Sequence, residues 1–166
     1  MNPLLLDAEA LYADLLSGVR RLLQPDMALV GIWSGGAWLA ERLQRDLGLP
    51  GEPGVISSSM HRDDFGSKGM SASPDHTKLA FDVSARPVLL IDDVLFTGRT
   101  TRAVLNELFD FGRPASVALA VLVDRGGREL PIEPAYSAAR ISLDKGQSLR
   151  LAKDEMGRFS FDLTGN

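Results

Sequence analysis

Apolar residues recur at spacings of three and four along the first stretch of the chain: Leu4, Leu5, Ala8, Leu11, Leu15, Leu16, Val19, Leu22 and Leu23. That period predicts a helix over 4–23, and Pro25 stops it because proline cannot continue the hydrogen-bond ladder. Ala28, Leu29, Val30, Gly31 and Ile32 then form a continuous apolar strand. The turn Ser34, Gly35, Gly36 leads into a second helix, 37–47, with Gly48 as its C-cap. Strand, tight glycine turn and helix make up the repeating unit of a parallel sheet.

Residues 54–60 read as a strand near a sheet edge, because serines fill its second half. The stretch 61–78 is polar and rich in Gly, Ser and Asp, which predicts a flexible loop of about 61–80. Loops this long in compact domains often serve as lids or binding loops. Val88, Leu89, Leu90 and Ile91 form the most convincing buried strand and run straight into Asp92 and Asp93. A helix follows from Thr100 or Thr101 to Phe111, with Val104, Leu105, Leu108 and Phe109 as its inner stripe. Residues 117–123 are the next buried strand. Beyond Pro131 the pattern weakens, until 148–151 and 158–163 alternate apolar with polar around 154–157. This predicts an accessory hairpin at about 146–164. The expectation is one α/β domain over 1–166, a largely parallel sheet flanked by helices.

Composition narrows the function classes. The length suits one core, and 45% hydrophobic content argues against wholesale disorder. With no cysteine, thiolate nucleophiles and Cys-based metal sites are excluded. The formal charge of -4, from 18 basic and 22 acidic residues, does not suit a generic nucleic-acid binder, which needs clustered cations. No apolar run is long enough to cross a membrane, and no basic segment precedes the N-terminal leucines. A cytoplasmic location is therefore expected.

Three strand ends should converge on one edge of such a sheet: Ser34 to Gly36, Asp92 to Thr100, and Asp124 to Gly126. Open parallel sheets bind ligands beyond the carboxyl ends of their strands. Two adjacent carboxylates after four apolar residues are costly unless they face solvent or a ligand. Thr97, Gly98, Arg99 and Thr100 then place a glycine turn and hydroxyls at a helix start, where unpaired amides make an anion nest. Carboxylates for sugar hydroxyls followed by a phosphate cradle describe a site for ribose 5-phosphate. The G-x-x-x-x-G-K-[ST] phosphate loop is absent, and residues 31–36 lack the full dinucleotide-binding spacing. His61 and His76 both lie in the polar stretch and read as solvated loop residues. Trp38, one turn into its helix, reads as core.

The segment 88–100 resembles the phosphoribosyl-pyrophosphate-binding motif of type I phosphoribosyltransferases. More of the chain is similar to the PyrR family, pyrimidine-operon attenuation regulators with uracil phosphoribosyltransferase activity. The residues that carry this are His61, Arg62, Asp63, Asp64 and Phe65, then Phe111 to Pro114, then 122–132. The resemblance implies the type I phosphoribosyltransferase fold with a small hood and a flexible loop. It implies transfer of a phosphoribosyl group from phosphoribosyl pyrophosphate to uracil, giving UMP and pyrophosphate; the alternative is a weakly active or inactive nucleotide-binding regulator.

In that scheme Asp92 and Asp93 bind the ribose hydroxyls, Thr97, Gly98, Arg99 and Thr100 cradle the 5-phosphate, and Val94 belongs to the same binding segment. Gly31, Ser34, Gly35 and Gly36 form the turn facing pyrophosphate. Arg62 opens the loop over the substrate, and Arg125, with Asp124, lies near the base. Mg²⁺ arrives mainly with the donor, so no side chain is assigned as a metal ligand. The resemblance further implies a homodimer or larger homo-oligomer; RNA binding would need a basic face, to which Arg20, Arg21, Arg140 and Arg150 could contribute.

The chain departs from the family pattern at Trp33, Ser34, Gly35 and Gly36, where a turn like Arg-Thr-Arg-Gly is usual. Two cations are thus missing beside the leaving group, with Arg62, Lys68 and Lys78 as substitutes. Gly127 also stands where His is usual.

Overall fold

The structure is a computed structural model that describes residues 6–57 and 77–165. Helix α1 spans Ala8–Leu22 and starts only after Leu6 and Asp7, while residues 4 and 5 of the expected helix lie outside the described residues. The reason is Asp7, whose extended backbone and side chain, accepting from the Ala10 amide, cap the helix there. Strand β1 (Ala28–Ile32), helix α2 (Gly35–Asp46) and the short strand β2 (Gly54–Ile56) follow. Strand β3 covers Pro87–Leu95, α3 covers Arg99–Asp110 and β4 covers Ser116–Asp124. The chain ends in β5 (Tyr136–Arg140) and an antiparallel pair, β6 (Ser148–Lys153) and β7 (Phe159–Thr164).

The five-stranded sheet has the order β2-β1-β3-β4-β5, and every pairing in it is parallel. Both faces are covered, so the central strands are apolar on successive residues rather than alternating. Leu89 and Ile91 face a layer built by α1 and α2, with Leu15, Val19, Leu39 and Leu43. Val88 and Leu90 face α3 through Val104 and Leu108.

Three sequence expectations change. The strand expected at 88–91 does not end at Ile91: β3 runs on through Asp92 and Asp93 to Leu95, paired with β4 as far as Asp124. And β5, where the pattern weakens, is a fifth parallel strand whose residues are only half-buried or exposed, because it forms the sheet edge. Helix α3 also starts earlier than expected, at Arg99, because Gly98 takes a left-handed φ of 95° that turns the chain into it. At the other edge β2 stops at Ile56. The expected continuation to residue 60 and most of the loop 61–80, with Arg62, Lys68, His61 and His76, lie outside the described residues.

The β6–β7 pair packs over the α1–α2 side of the sheet through Leu149, Leu151 and Phe159. A charged knot holds it there. Arg42 of α2 donates to Glu9 Oε1 at 2.8 Å and to the Gly157 carbonyl at 2.8 Å. Glu9 Oε2 in turn accepts from the Phe159 amide at 2.6 Å. The Arg42 guanidinium also lies 4.1 Å from the Phe159 ring centre. Bonding to Arg42 and to the amide outweighs burial and lowers the Glu9 carboxyl below its ordinary value.

Candidate active site

The chain steps from β1 outward to β2, then returns to place β3 on the other side of β1. This reversal opens a crevice at the carboxyl ends of β1 and β3, the position where open parallel sheets hold ligands. A cleft of about 600 Å³ occupies it. Trp33, Ser34, Asp92, Asp93, Phe96 and Arg125 line it from the sheet, and Arg150, Lys153 and Asp162 from the hairpin. The three strand ends singled out in the sequence therefore do meet.

Glycines let the first turn close on β3. A Cβ on Gly36 would collide with the Ile91 carbonyl, and one on Gly35 would lie 2.6 Å from Asp93 Oδ2. The peptide between Trp33 and Ser34 is cis. Ser34 is the N-cap of α2 but makes no side-chain capping bond, so the first amides of that helix have no hydroxyl partner.

The acidic pair is held by backbone. Asp92 is buried, and its Oδ1 accepts from the Asp93 amide at 2.8 Å. Asp93 Oδ1 accepts from the Val94 amide at 2.8 Å, and its Oδ2 accepts from Leu151 of β6 at 3.1 Å. A carboxylate offers about four lone-pair sites, so these bonds orient Asp93 and leave acceptor capacity for ligand hydroxyls.

Beyond the pair, residues 97–101 enclose a smaller cavity of about 110 Å³, bounded also by Asp92, Val94 and Phe96. The Thr97 hydroxyl accepts from the Arg99 amide at 3.1 Å, and the Thr97 carbonyl accepts from the Glu129 amide at 2.9 Å. The loop is thereby fixed with the first turn of α3 opening into the cavity. Amides of that turn have no intrahelical acceptor, and the helix field favours an anion there. Arg99 is itself exposed and pairs with Glu129 at 2.5 Å, a contact worth little so close to water.

On the β4 side, Arg125 lies 3.9 Å over the Phe96 ring and donates from Nη1 to the Gln147 carbonyl at 2.9 Å. Its Nε is buried without an acceptor among the described residues, and burial lowers its pKa from the ordinary arginine value. Gly127 makes this stack possible: a Cβ there would lie 2.5 Å from Phe96 Cε1. Asp124 is buried and is not among the cleft-lining residues; Arg128 grips both its oxygens, at 3.0 and 2.8 Å. Burial pushes the Asp124 carboxyl up, but the Arg128 and Gly126 N–H groups outweigh it, and the net shift is downward.

Sequence reasoning missed several cleft residues. Arg150, Lys153 and Asp162 are distant in sequence and arrive only through the hairpin packing; Phe96 looked like an ordinary apolar residue. Trp38 is half-buried, packing against the core on one side and lining the cleft on the other. Among the described residues, no group of three or more His, Cys, Asp or Glu converges as a metal cage, and no helix is long and apolar enough to cross a membrane.

Comparison with known proteins gives a consistent result. Residues 5–154 match the phosphoribosyl transferase domain model. The chain is 51% identical over 163 residues to the bifunctional protein PyrR of Ralstonia nicotianae, covering 94% of this chain and 93% of that protein. It is 42% identical to the bifunctional protein PyrR of Nitrosococcus oceani, covering 96% and 93%. Among solved structures, a hypoxanthine phosphoribosyltransferase of Trypanosoma cruzi superposes with a TM-score of 0.62 at 20% identity, covering 85% and 82%. A hypoxanthine-guanine phosphoribosyltransferase of Bacillus anthracis gives 0.64 at 15% identity, covering 89% and 85%. These two establish the type I phosphoribosyltransferase fold.

Proposed function

The chain belongs to the PyrR family of phosphoribosyltransferase-domain proteins, and from that membership we propose that it transfers a phosphoribosyl group from phosphoribosyl pyrophosphate to uracil. The observation that carries this reading is the succession of an acidic pair and an amide-lined anion cavity along one continuous stretch of the cleft, from the end of β3 into α3. In the reaction the C1–O bond to pyrophosphate breaks and its electron pair leaves with the pyrophosphate. The base nitrogen N1 forms the new bond to C1, and its proton passes to pyrophosphate or solvent.

Each part of the site has a task in that step. Asp92 and Asp93 accept from the ribose hydroxyls and put negative charge beside a sugar whose C1 turns cationic. Residues 97–100 hold the 5-phosphate with amides and hydroxyls, and Val94 borders the ribose through its backbone. Phe96, stiffened by Arg125, offers a flat face to a pyrimidine ring. Ser34, Gly35 and Gly36 meet the pyrophosphate, and Arg62 is proposed to reach it from the loop.

Mg²⁺ enters as part of the donor substrate, where it offsets charge on the pyrophosphate. Two carboxylates with substrate oxygens suit its preference for hard ligands and few protein contacts. Homo-oligomer formation belongs to the same proposal.

A second reading, a UMP-binding regulator with little turnover, is favoured by one feature: the turn 33–36 carries no cation. A pyrophosphate-release assay with the magnesium-loaded donor and a panel of bases decides between them. Release is expected with uracil and at least about tenfold slower with other bases. UMP binding with no release from any base would select the regulator.

A further inference from the structure

We infer that Lys153, on the hairpin, supplies the positive charge for the leaving pyrophosphate that the turn 33–36 lacks. The inference rests on the phosphoribosyl-transfer reading of the cleft. The turn cannot carry that charge at two of its own positions. Asp93 and the Ile91 carbonyl occupy the space where side chains on Gly35 and Gly36 would begin. A cation on this side of the leaving group therefore comes from another element of the chain.

Three cationic side chains line the cleft among the described residues: Arg125, Arg150 and Lys153. Arg125 is engaged by Gln147 and Phe96 at the β4 end. Arg150 stands directly opposite Asp162 in the β6–β7 ladder, so a cleft-lining carboxylate is its cross-strand neighbour. Lys153 stands opposite Phe159, and among the described residues no carboxylate pairs with it. Its ammonium lies 5.0 Å from the Trp38 ring centre. Trp38 belongs to the first turn of α2, so this contact ties the ammonium to the helix whose N-cap residue Ser34 lines the same cleft.

That position is held by structure. The Leu151 amide bonds to Asp93 Oδ2, which locks the register of β6 against the ribose-facing carboxylate. Lys153 is two residues on and projects from the same face of β6 as Leu151. The Glu9–Arg42 knot fixes the far end of the hairpin. One carboxylate thus faces the ribose while bonding the strand that carries the cation for the leaving group.

The test is calorimetric titration of the wild type, Lys153→Met and Lys153→Arg, separately with magnesium pyrophosphate and with UMP. Lys153→Met is expected to weaken pyrophosphate binding by about 10–100-fold, to leave UMP affinity within about twofold, and to be largely rescued by Lys153→Arg. A lysine that merely packs on Trp38 would lower thermal stability without separating the two ligands. Unchanged pyrophosphate affinity in Lys153→Met, with UMP still bound, overturns the inference alone. Failure of the wild type to bind UMP overturns the site reading, and the inference with it.

Discussion

Asp93→Asn is expected to lower kcat/KM for UMP formation by about 10²–10³-fold, the range seen when one preorganised charge-stabilising group is lost. The substitution keeps the size of the side chain and removes its charge where C1 of the ribose becomes cationic. Ground-state contacts should suffer less, because in the proposed site the 5-phosphate lies in the cavity of residues 97–100, which the change does not touch. UMP affinity is therefore expected to fall by less than about tenfold, and most of the loss should appear in kcat. A modest structural cost accompanies it. Both Asp93 oxygens accept backbone N–H groups, from Val94 and Leu151, whereas an asparagine amide can accept at only one end. One N–H then faces an NH₂ group, at a cost of about 1–3 kcal/mol. Stopped-flow and steady-state assays with parallel UMP titrations would separate the two effects. An equal loss of UMP affinity and kcat/KM would mean that the charge acts in binding alone.

The largest expected change in stability comes from Arg128→Met, at about 3–5 kcal/mol, the usual cost of stranding one partner of a buried ion pair. Arg128 satisfies both Asp124 oxygens and also donates to the carbonyls of Ile132 and Phe96. Its loss leaves the buried carboxylate with the Gly126 amide alone. Pairing Asp124→Leu with Arg128→Met should recover most of the loss, because an apolar pair of similar volume needs no desolvated charge.

The pH dependence has a definite sign. In the wild type the Asp124 pKa is lowered, so its stabilisation is fully present above the ordinary aspartate value and fades as pH falls through the lowered one. In Arg128→Met burial dominates and raises that pKa. The variant should then lose less relative stability near roughly pH 4 than at neutrality. Urea unfolding at the two pH values reads this directly; a larger deficit in acid would contradict it.

Much of the fold and the centre of the site could be read from the sequence because local chemistry dominates there. Four apolar residues before Asp92 and Asp93 can only be a buried strand. The glycine turn at Ser34 and the break at Gly98 announce themselves through backbone freedom. The rest depended on tertiary placement. An edge strand such as β5 lacks a buried face and so lacks a pattern. The hairpin's alternation was legible, but not the surface it would cover; Arg150 and Lys153 gave no sign that they belong beside Asp93. Gly127 looked like a lost histidine, and only the ring of Phe96 against it explains the small residue. Asp124 looked like a ligand contact because it ends an apolar strand, yet Arg128, four residues later, neutralises it within the fold.

Calorimetric comparison of UMP with uridine measures the phosphate cradle itself. If the amides and hydroxyls of residues 97–100 grip the 5-phosphate, two or more charge-assisted hydrogen bonds at about 1.5–3 kcal/mol each should make UMP bind at least about 100-fold more tightly. Equal affinities for the two would contradict the account at its centre.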